Sequence, residues 1–317
     1  MVVDGIAQGE VSPTTYCYKQ VKGVAIELDV YKAPKSVGEP VILWIHGGAL
    51  IFGNRRQLPN DQARFYLSHG YTVISIDYRL APESKLPEIV EDILSAYEWL
   101  QENGSRLFDV APDRTAVVGH SAGGYLALLA GVRFEPKPKA LVSFYGYGDI
   151  TSDWYYRADP HYLKAGVIET GEAYSLVGDR ILTGSEVFPR NTFYKYCRQN
   201  GLWPQTVCGF DPRSEPEGVE PFCPIRHVSE TYPPTLLIHG DKDTDVPYLE
   251  SVRMAKQLEK HNVPHSLLLL EGSDHLFDIY PEGLPTQGKE AGLTYPLVAR
   301  VFAEVGRFLS KHLDGSL

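Results

Sequence analysis

The chain has 317 residues, 43% of them hydrophobic and 22% charged, with a formal net charge of −10. This is the composition of a globular protein with a large core, and the acidic balance argues against nucleic acid or anionic membranes, which attract basic patches. No apolar run approaches the length of a membrane-spanning helix, about 20 residues, and the opening "MVVDGIAQGE" has no basic stretch leading into an apolar one, so no secretory leader is expected.

The first segment, "TTYCYKQVKGVAIELDVYKAP", alternates apolar and polar residues around a glycine, which predicts two antiparallel strands with a tight connection. "VILWIHGG" and "YTVISIDY" are nearly continuous apolar runs, as strands covered on both faces require. Between them "DQARFYLSHG" reads as a short helix closed by Gly70. "LPEIVEDILSAYEWLQENG" repeats apolar residues at helical spacing (Ile89, Ile93, Ala96, Leu100) and is expected to end at Gly104.

"TAVVGHS" reads as a strand that passes directly into a helix, "AGGYLALLAGV". Strands "ALVSFYGYG", "PTLLIHGDKD" and "HSLLLLEG" follow, with helices "LESVRMAKQLEKHN" and "PLVARVFAEVGRFLSKHL" completing the pattern. Strands alternating with helices predict an α/β fold, a mostly parallel central sheet with helices on both faces, formed by residues 1–317 as one domain.

Residues 149–228 break the alternation: they carry no clear strand and are dense in tryptophan, tyrosine and phenylalanine. A structureless loop of that length inside a compact domain is improbable, so the segment reads as an inserted cap. Its best helix is "NTFYKYCRQNGLW", with Asn191 as the expected N-cap. The cap's aromatic rings would either line an apolar substrate pocket or form the cap's own core.

The cysteines are Cys17, Cys197, Cys208 and Cys223; none forms a C-x-x-C pair and no histidine spacing suggests zinc. With no leader, the expectation is a cytoplasmic protein with reduced thiols, a disulfide among Cys197, Cys208 and Cys223 being the alternative.

Gly119-His120-Ser121-Ala122-Gly123 is a G-x-S-x-G sequence. Short Gly/Ser patterns recur by chance, but this one lies between an expected strand and an expected helix, where a sharp turn would lift the Ser121 hydroxyl clear of the sheet. A serine hydroxyl is a poor nucleophile without a base. Of the histidines beyond "TLLIHG", His275 alone sits in the loop after the final strand, where a base is required. The acid that orients it must come from Asp241, Asp243 or Asp245 in "HGDKDTDVP", which position barely separates. Asp-x-Asp-x-Asp also opens a calcium loop, but Val246 and Val252 stand where that loop needs glycine and glutamate. "IHGGAL" ends the first parallel strand in a turn able to aim backbone N–H groups at an oxyanion.

Five stretches in this order, "HGGAL" at 46–50, "DYRLAPE" at 77–83, "GHSAGG" at 119–124, "HGDKDTDVP" at 239–247 and "GSDH" at 272–275, resemble the α/β-hydrolase superfamily. The resemblance is strongest to hormone-sensitive-lipase-like esterases, with a C-terminal part similar to prolyl-oligopeptidase-type hydrolases; it does not extend over the cap. It implies Ser121 as nucleophile, His275 as base and Asp243, the aspartate before x-x-Val-Pro, as acid. Gly48, Ala49 and Ala122 would be the oxyanion donors. The usual esterase pattern is H-G-G-G, and Ala49 replaces its third glycine, restricting the turn if that position needs a positive φ. "DYRLAPE" is given a scaffold role.

The resemblance therefore implies a carboxylesterase-type serine hydrolase acting on a small-molecule ester without metal or cofactor, and a homodimer is possible in such esterases. A peptidase, amidase or lactonase would use the same residues. A non-catalytic ligand-binding protein on this fold is the third alternative, but such proteins lose the histidine that His275 supplies here.

Overall fold

The computed structural model describes residues 12–32, 38–164, 166–279 and 296–314. The opening ten residues, which carried the leader argument, and the "AP" at 33–34 lie outside them. β1 (Thr14–Val21) and β2 (Val24–Tyr31) pair antiparallel with Val21 opposite Val24, so Lys22 and Gly23 form the connection, with φ of 50° and 82°. Positive φ at both central residues is the turn whose twist matches that of a hairpin.

The other strands are β3 (Glu39–Ile45), β4 (Thr72–Ile76), β5 (Val110–His120), β6 (Ala140–Phe144), β7 (Thr235–Gly240) and β8 (His265–Leu270). They join β1 and β2 in a sheet of order β1-β2-β4-β3-β5-β6-β7-β8. β2 pairs antiparallel with β4, and every pairing from β4 to β8 is parallel. All residues of β3, β4, β6 and β7 are buried, which is why their sequences are continuous apolar runs rather than alternating ones.

Helices cover both faces. α1 (Asn60–Ser68), α2 (Leu86–Phe108) and α3 (Ala122–Arg133) come from the first half of the chain. Between β6 and β7 lie α4 (Asp153–Tyr156), α5 (Pro160–Leu163), α6 (Thr170–Tyr174), α7 (Val187–Asn200), α8 (Trp203–Cys208) and α9 (Pro216–Val219). α10 (Leu249–Lys260) and α11 (Pro296–Leu313) complete the set. One apolar core joins α2, α3, α10 and the 149–228 insertion to one face of the sheet; a second joins α1 and α11 to the other.

Two helix ends differ from expectation. α2 runs through Gly104, where a Cβ would meet Leu100 Cδ1 and Pro112 Cγ at 2.9 Å. The glycine lets the helix close onto β5, and the chain turns instead at Asp109, in the left-handed region with φ 58°. Asn191 is not the cap of α7, which begins at Val187 behind Glu186. Pro189 falls in the first turn, where backbone N–H groups have no helical partner. The next residue, Arg190, is buried and donates from Nε to Ile51 O at 2.7 Å, pairing with Glu83 at 2.7 Å as well. Those bonds fix the start of α7 against the sheet domain.

Many of the insertion's aromatics form a core. The Tyr155 and Trp203 rings stack at 4.0 Å, Tyr147 packs edge-on to Tyr155 at 5.1 Å, and Phe193 is buried with them. The cysteine thiols are unpaired, Cys17 exposed and Cys197, Cys208 and Cys223 buried. Burial pushes the Cys197 and Cys223 thiols up to about 12. No helix among the described residues is long and apolar enough to cross a membrane.

Candidate active site

The crossing of β5 and α3 accounts for the glycines around Ser121. A Cβ on Gly119 would lie 2.0 Å from Gly123 O, and one on Gly123 would lie 2.1 Å from Ile45 O. Only glycine lets strand and helix meet so sharply and so close to β3. The turn itself falls on Ser121, at φ 56° and ψ −118°, a conformation that side-chain-bearing residues rarely adopt. Its N–H is held by Phe144 O at 2.9 Å and its carbonyl accepts the N–H of Tyr125 at 3.0 Å. The side chain therefore projects at the N-terminus of α3, where backbone dipoles favour negative charge.

His275 follows β8 and reaches back across the sheet. Its Nε2 lies 3.1 Å from Ser121 Oγ and its Nδ1 lies 2.7 Å from Asp243 Oδ2. A carboxylate oxygen only accepts, so Nδ1 carries the hydrogen and Nε2 is free to accept from the serine hydroxyl. The Tyr145 ring packs 4.5 Å from the imidazole, and its hydroxyl donates to Asp278 at 2.7 Å. The three aspartates after β7 are thereby separated: Asp243 faces Nδ1, Asp241 Oδ1 instead accepts the N–H of Gly272, and Asp245 lies on the other side of the imidazole.

Asp243 is buried and saturated with donors. Oδ1 accepts the backbone N–H groups of Asp245 and Val246 at 2.9 and 2.7 Å; Oδ2 accepts from His275 and from His239 Nε2 at 3.1 Å. Burial disfavours the charged carboxylate, but the attraction of His275 and the hydrogen bonds from His239 and His275 outweigh it, holding Asp243 well below the usual carboxylate range. At His275 burial opposes the imidazolium, and Asp243, with Asp245 and Asp274 adding to it, more than offsets that, so its pKa is raised.

His239 is a site residue that sequence reasoning passed over. Its Nε2 faces two acceptors, Asp243 Oδ2 and Val246 O at 3.0 Å, while Nδ1 takes the Ser251 hydroxyl at 2.7 Å. That pattern fixes the Nε2–H tautomer and makes His239 a second donor to Asp243. Its signal was the histidine next to the end of β7, four positions before Asp243 in "HGDKD".

The turn after β3 lies beside Ser121. Gly48, Ala49 and Leu50 all have positive φ, 100°, 54° and 62°. The N–H groups of Gly48, Ala49 and Ala122 have no hydrogen-bond partner among the described residues. A Cβ on Gly48 would strike Phe52 O at 2.0 Å, so that position admits only glycine, whereas Ala49 carries its methyl in the left-handed region at a cost of about 1 kcal/mol. Neighbours hold the turn: Trp203 Nε1 donates to Ala49 O at 2.9 Å, Tyr78 donates its hydroxyl to His46 O at 2.9 Å, and the N–H of Ala81 goes to Leu50 O at 2.8 Å. His46 stacks on Tyr78 at 4.1 Å, and burial lowers its pKa to about 4, so it is neutral. The "DYRLAPE" stretch is further braced by Arg79 on Asp92 at 2.7 Å and by Asp77, whose Oδ1 takes the N–H of Arg55 at 2.7 Å.

Beside His275 the insertion contributes a charged cluster. Arg198 of α7 is buried, donates to Asp245 Oδ1 at 2.9 Å, pairs with Asp159 and lies 4.8 Å from the Tyr162 ring. Tyr162 and Tyr194 donate their hydroxyls to the same Asp245 oxygen. The other oxygen, Oδ2, lies 3.6 Å from His275 Nε2.

Comparison with known proteins agrees with this architecture. A family model described as alpha/beta hydrolase fold matches residues 42–279. The chain belongs to that family.

Among solved structures, a Staphylococcus aureus protein of unknown function superposes with a TM-score of 0.76 at 23% identity, covering 95% of this chain and 99% of that one. EstE1, a thermophilic carboxylesterase cloned from a metagenomic library, superposes with a TM-score of 0.69 at 22% identity, covering 97% and 91%. The non-reducing polyketide synthase Preu6 of Preussia isomera is 31% identical over 305 residues, 83% of this chain. The chain spans only 13% of that synthase's length.

Proposed function

We propose that the protein is a serine hydrolase that cleaves carboxylic esters of small molecules through an acyl-enzyme on Ser121. The observation that carries this reading is the continuous hydrogen-bond chain from Asp243 through His275 to Ser121 Oγ. In the first half-reaction His275 Nε2 takes the hydroxyl proton as Oγ bonds to the ester carbonyl carbon. The N–H groups of Gly48, Ala49 and Ala122 receive the oxyanion, their freedom from other partners being the support for that role. The imidazolium then protonates the leaving alcohol as the C–O bond breaks. Water repeats the cycle, giving its proton to Nε2 and its oxygen to the acyl carbon, and Ser121 departs with a proton.

Asp243 as the acid is also the assignment that the prolyl-oligopeptidase-like reading of the C-terminal part implies. Residues 149–228 are read as a cap that sets substrate choice, since Trp203 and Arg198 carry its contacts to the oxyanion turn and to Asp245. The reading is of a cytoplasmic protein without metal or cofactor, with a homodimer as its candidate assembly. Amide, peptide or lactone cleavage would use the same residues.

The match to polyketide synthases supports a second reading within the same chemistry, in which the acyl group is polyketide-like and arrives as an ester or thioester. A matched series of oxygen esters and thioesters, from acetyl to decanoyl and aromatic acyl groups, separates the two. Fastest turnover of aliphatic oxygen esters supports the first reading, and fastest turnover of aromatic thioesters the second. Absence of turnover by a protein that also fails to react with a fluorophosphonate at Ser121 would remove both.

A further inference from the structure

Asp245 holds an acceptor beside the imidazole nitrogen that faces Ser121. Its Oδ1 is committed to three donors from the insertion: the hydroxyls of Tyr162 and Tyr194 and the guanidinium of Arg198 at 2.9 Å. Its Oδ2 accepts no hydrogen bond among the described residues and lies 3.6 Å from His275 Nε2. The same nitrogen lies 3.1 Å from Ser121 Oγ. To be protonated, the leaving oxygen must come within hydrogen-bond reach of Nε2. An atom one or two bonds further along the alcohol then falls within reach of Asp245 Oδ2.

We propose that Asp245 is a specificity-determining residue whose Oδ2 accepts a hydrogen bond from a donor on the alcohol side of the substrate, making esters of hydroxylated alcohols the preferred class. The inference rests on the serine-hydrolase reading of the site. A carboxylate oxygen that accepts no hydrogen bond among the described residues favours a donor over a methyl or an anion at the same place. The committed oxygen gives the side chain one orientation: the three donors on Oδ1 need an acceptor there, so the free lone pairs always face the leaving-group side. Arg198 also holds the backbone carbonyl of Asp245, at 2.9 Å, so the loop does not depend on the side chain alone.

The same geometry makes Asp245→Asn an informative variant. Its amide oxygen must take the Oδ1 position to satisfy Tyr162, Tyr194 and Arg198, which turns the NH2 group toward His275. The acceptor at the leaving-group position becomes a donor with almost no change of shape.

The test compares kcat/KM for propyl butyrate and 2-hydroxyethyl butyrate, which differ by a methyl for a hydroxyl, on wild type and Asp245→Asn. A hydrogen bond to a charged acceptor predicts a wild-type preference for the hydroxyl ester of about 10- to 100-fold, and collapse of that ratio in the variant whatever its absolute rates. Equal rates on the two esters in wild type, or an unchanged ratio in Asp245→Asn, would overturn the proposal. If the variant does not fold, 2-methoxyethyl butyrate on wild type decides: it keeps the oxygen and removes the donor. Loss of the preference supports the proposal, and its retention overturns it. Labelling of Ser121 by a fluorophosphonate is measured in parallel. A labelled enzyme without the preference fails this inference alone, whereas an unlabelled and inactive one fails the reading beneath it.

Discussion

Asp243 gives His275 one carboxylate oxygen, at 2.7 Å from Nδ1, and keeps the other on the backbone N–H groups of Asp245 and Val246 at 2.9 and 2.7 Å. That division makes Asp243→Asn damaging in a defined way. The amide oxygen must face the two N–H groups, so the amide NH2 faces Nδ1 and forces the hydrogen onto Nε2, which can then no longer accept from Ser121. The expected loss in kcat is about 10³- to 10⁴-fold with the fold retained, read from ester turnover beside a thermal melt. Asp241→Asn should leave turnover nearly intact, because Asp241 bonds Gly272 rather than the imidazole. An equal loss in Asp241→Asn would show that the acid has been misassigned.

The pH profile follows from the charges around His275. Its pKa is raised above the ordinary 6.5 because Asp243, Asp245 and Asp274 together outweigh the effect of burial. As the proposed base, His275 must be neutral to accept the Ser121 proton, so kcat/KM is expected to fall as pH drops through that raised pKa. The acid limb of the profile is therefore expected above 6.5 in wild type. In Asp245→Asn one of the stabilising charges is gone and the limb moves to lower pH. A limb that stays in place would show that Asp245 does not act on the imidazole.

Ala49 separates backbone function from side-chain identity. Its N–H is the candidate donor and its φ is 54°, so glycine fits the position and proline, which lacks the N–H and fixes a negative φ, does not. Ala49→Gly should stay within a few-fold of wild type in kcat. Ala49→Pro should lose about 10²- to 10³-fold, the usual cost of one oxyanion donor. Similar activity in the two variants would remove Ala49 from the oxyanion hole.

Arg198 tests how firmly the insertion is tied to the site. It is buried against Asp159 and Asp245, whose side chains are 19% and 23% exposed. Arg198→Met leaves both carboxylates without their cation, a change that costs 3–5 kcal/mol for wholly buried pairs; because water reaches these partners, about 2–3 kcal/mol is expected. Chemical denaturation reads that loss directly, and a variant as stable as wild type would show that the cluster does not anchor the insertion.

The parallel strands were legible because burial on both faces leaves a long apolar run, and Ser121 because its glycines have a steric reason that survives in the sequence. Helix ends were less so. Gly104 resembles a terminator, yet it serves the close approach of α2 to Pro112, a contact between residues that only the fold brings together. Asn191 has the right chemistry for a cap, but Arg190 ties the preceding turn to Ile51 and Glu83, far away in the chain. For the same reason the choice among Asp241, Asp243 and Asp245 was not available from spacing. All three follow one strand, and which carboxylate meets Nδ1 depends on how the loop folds over Val246. His239 was missed because it lies inside a strand, where a buried histidine looks like core; its role appears only with Asp243 Oδ2 at 3.1 Å.

The central claim, that Ser121 is an activated nucleophile for ester cleavage, is tested most directly by p-nitrophenyl ester turnover from acetate to decanoate in wild type and Ser121→Ala. Turnover should be present in wild type and fall by several orders of magnitude in the variant, with both proteins melting at the same temperature. Turnover that persists in a folded Ser121→Ala protein would contradict the account, because the hydrolysis would then run through some other group.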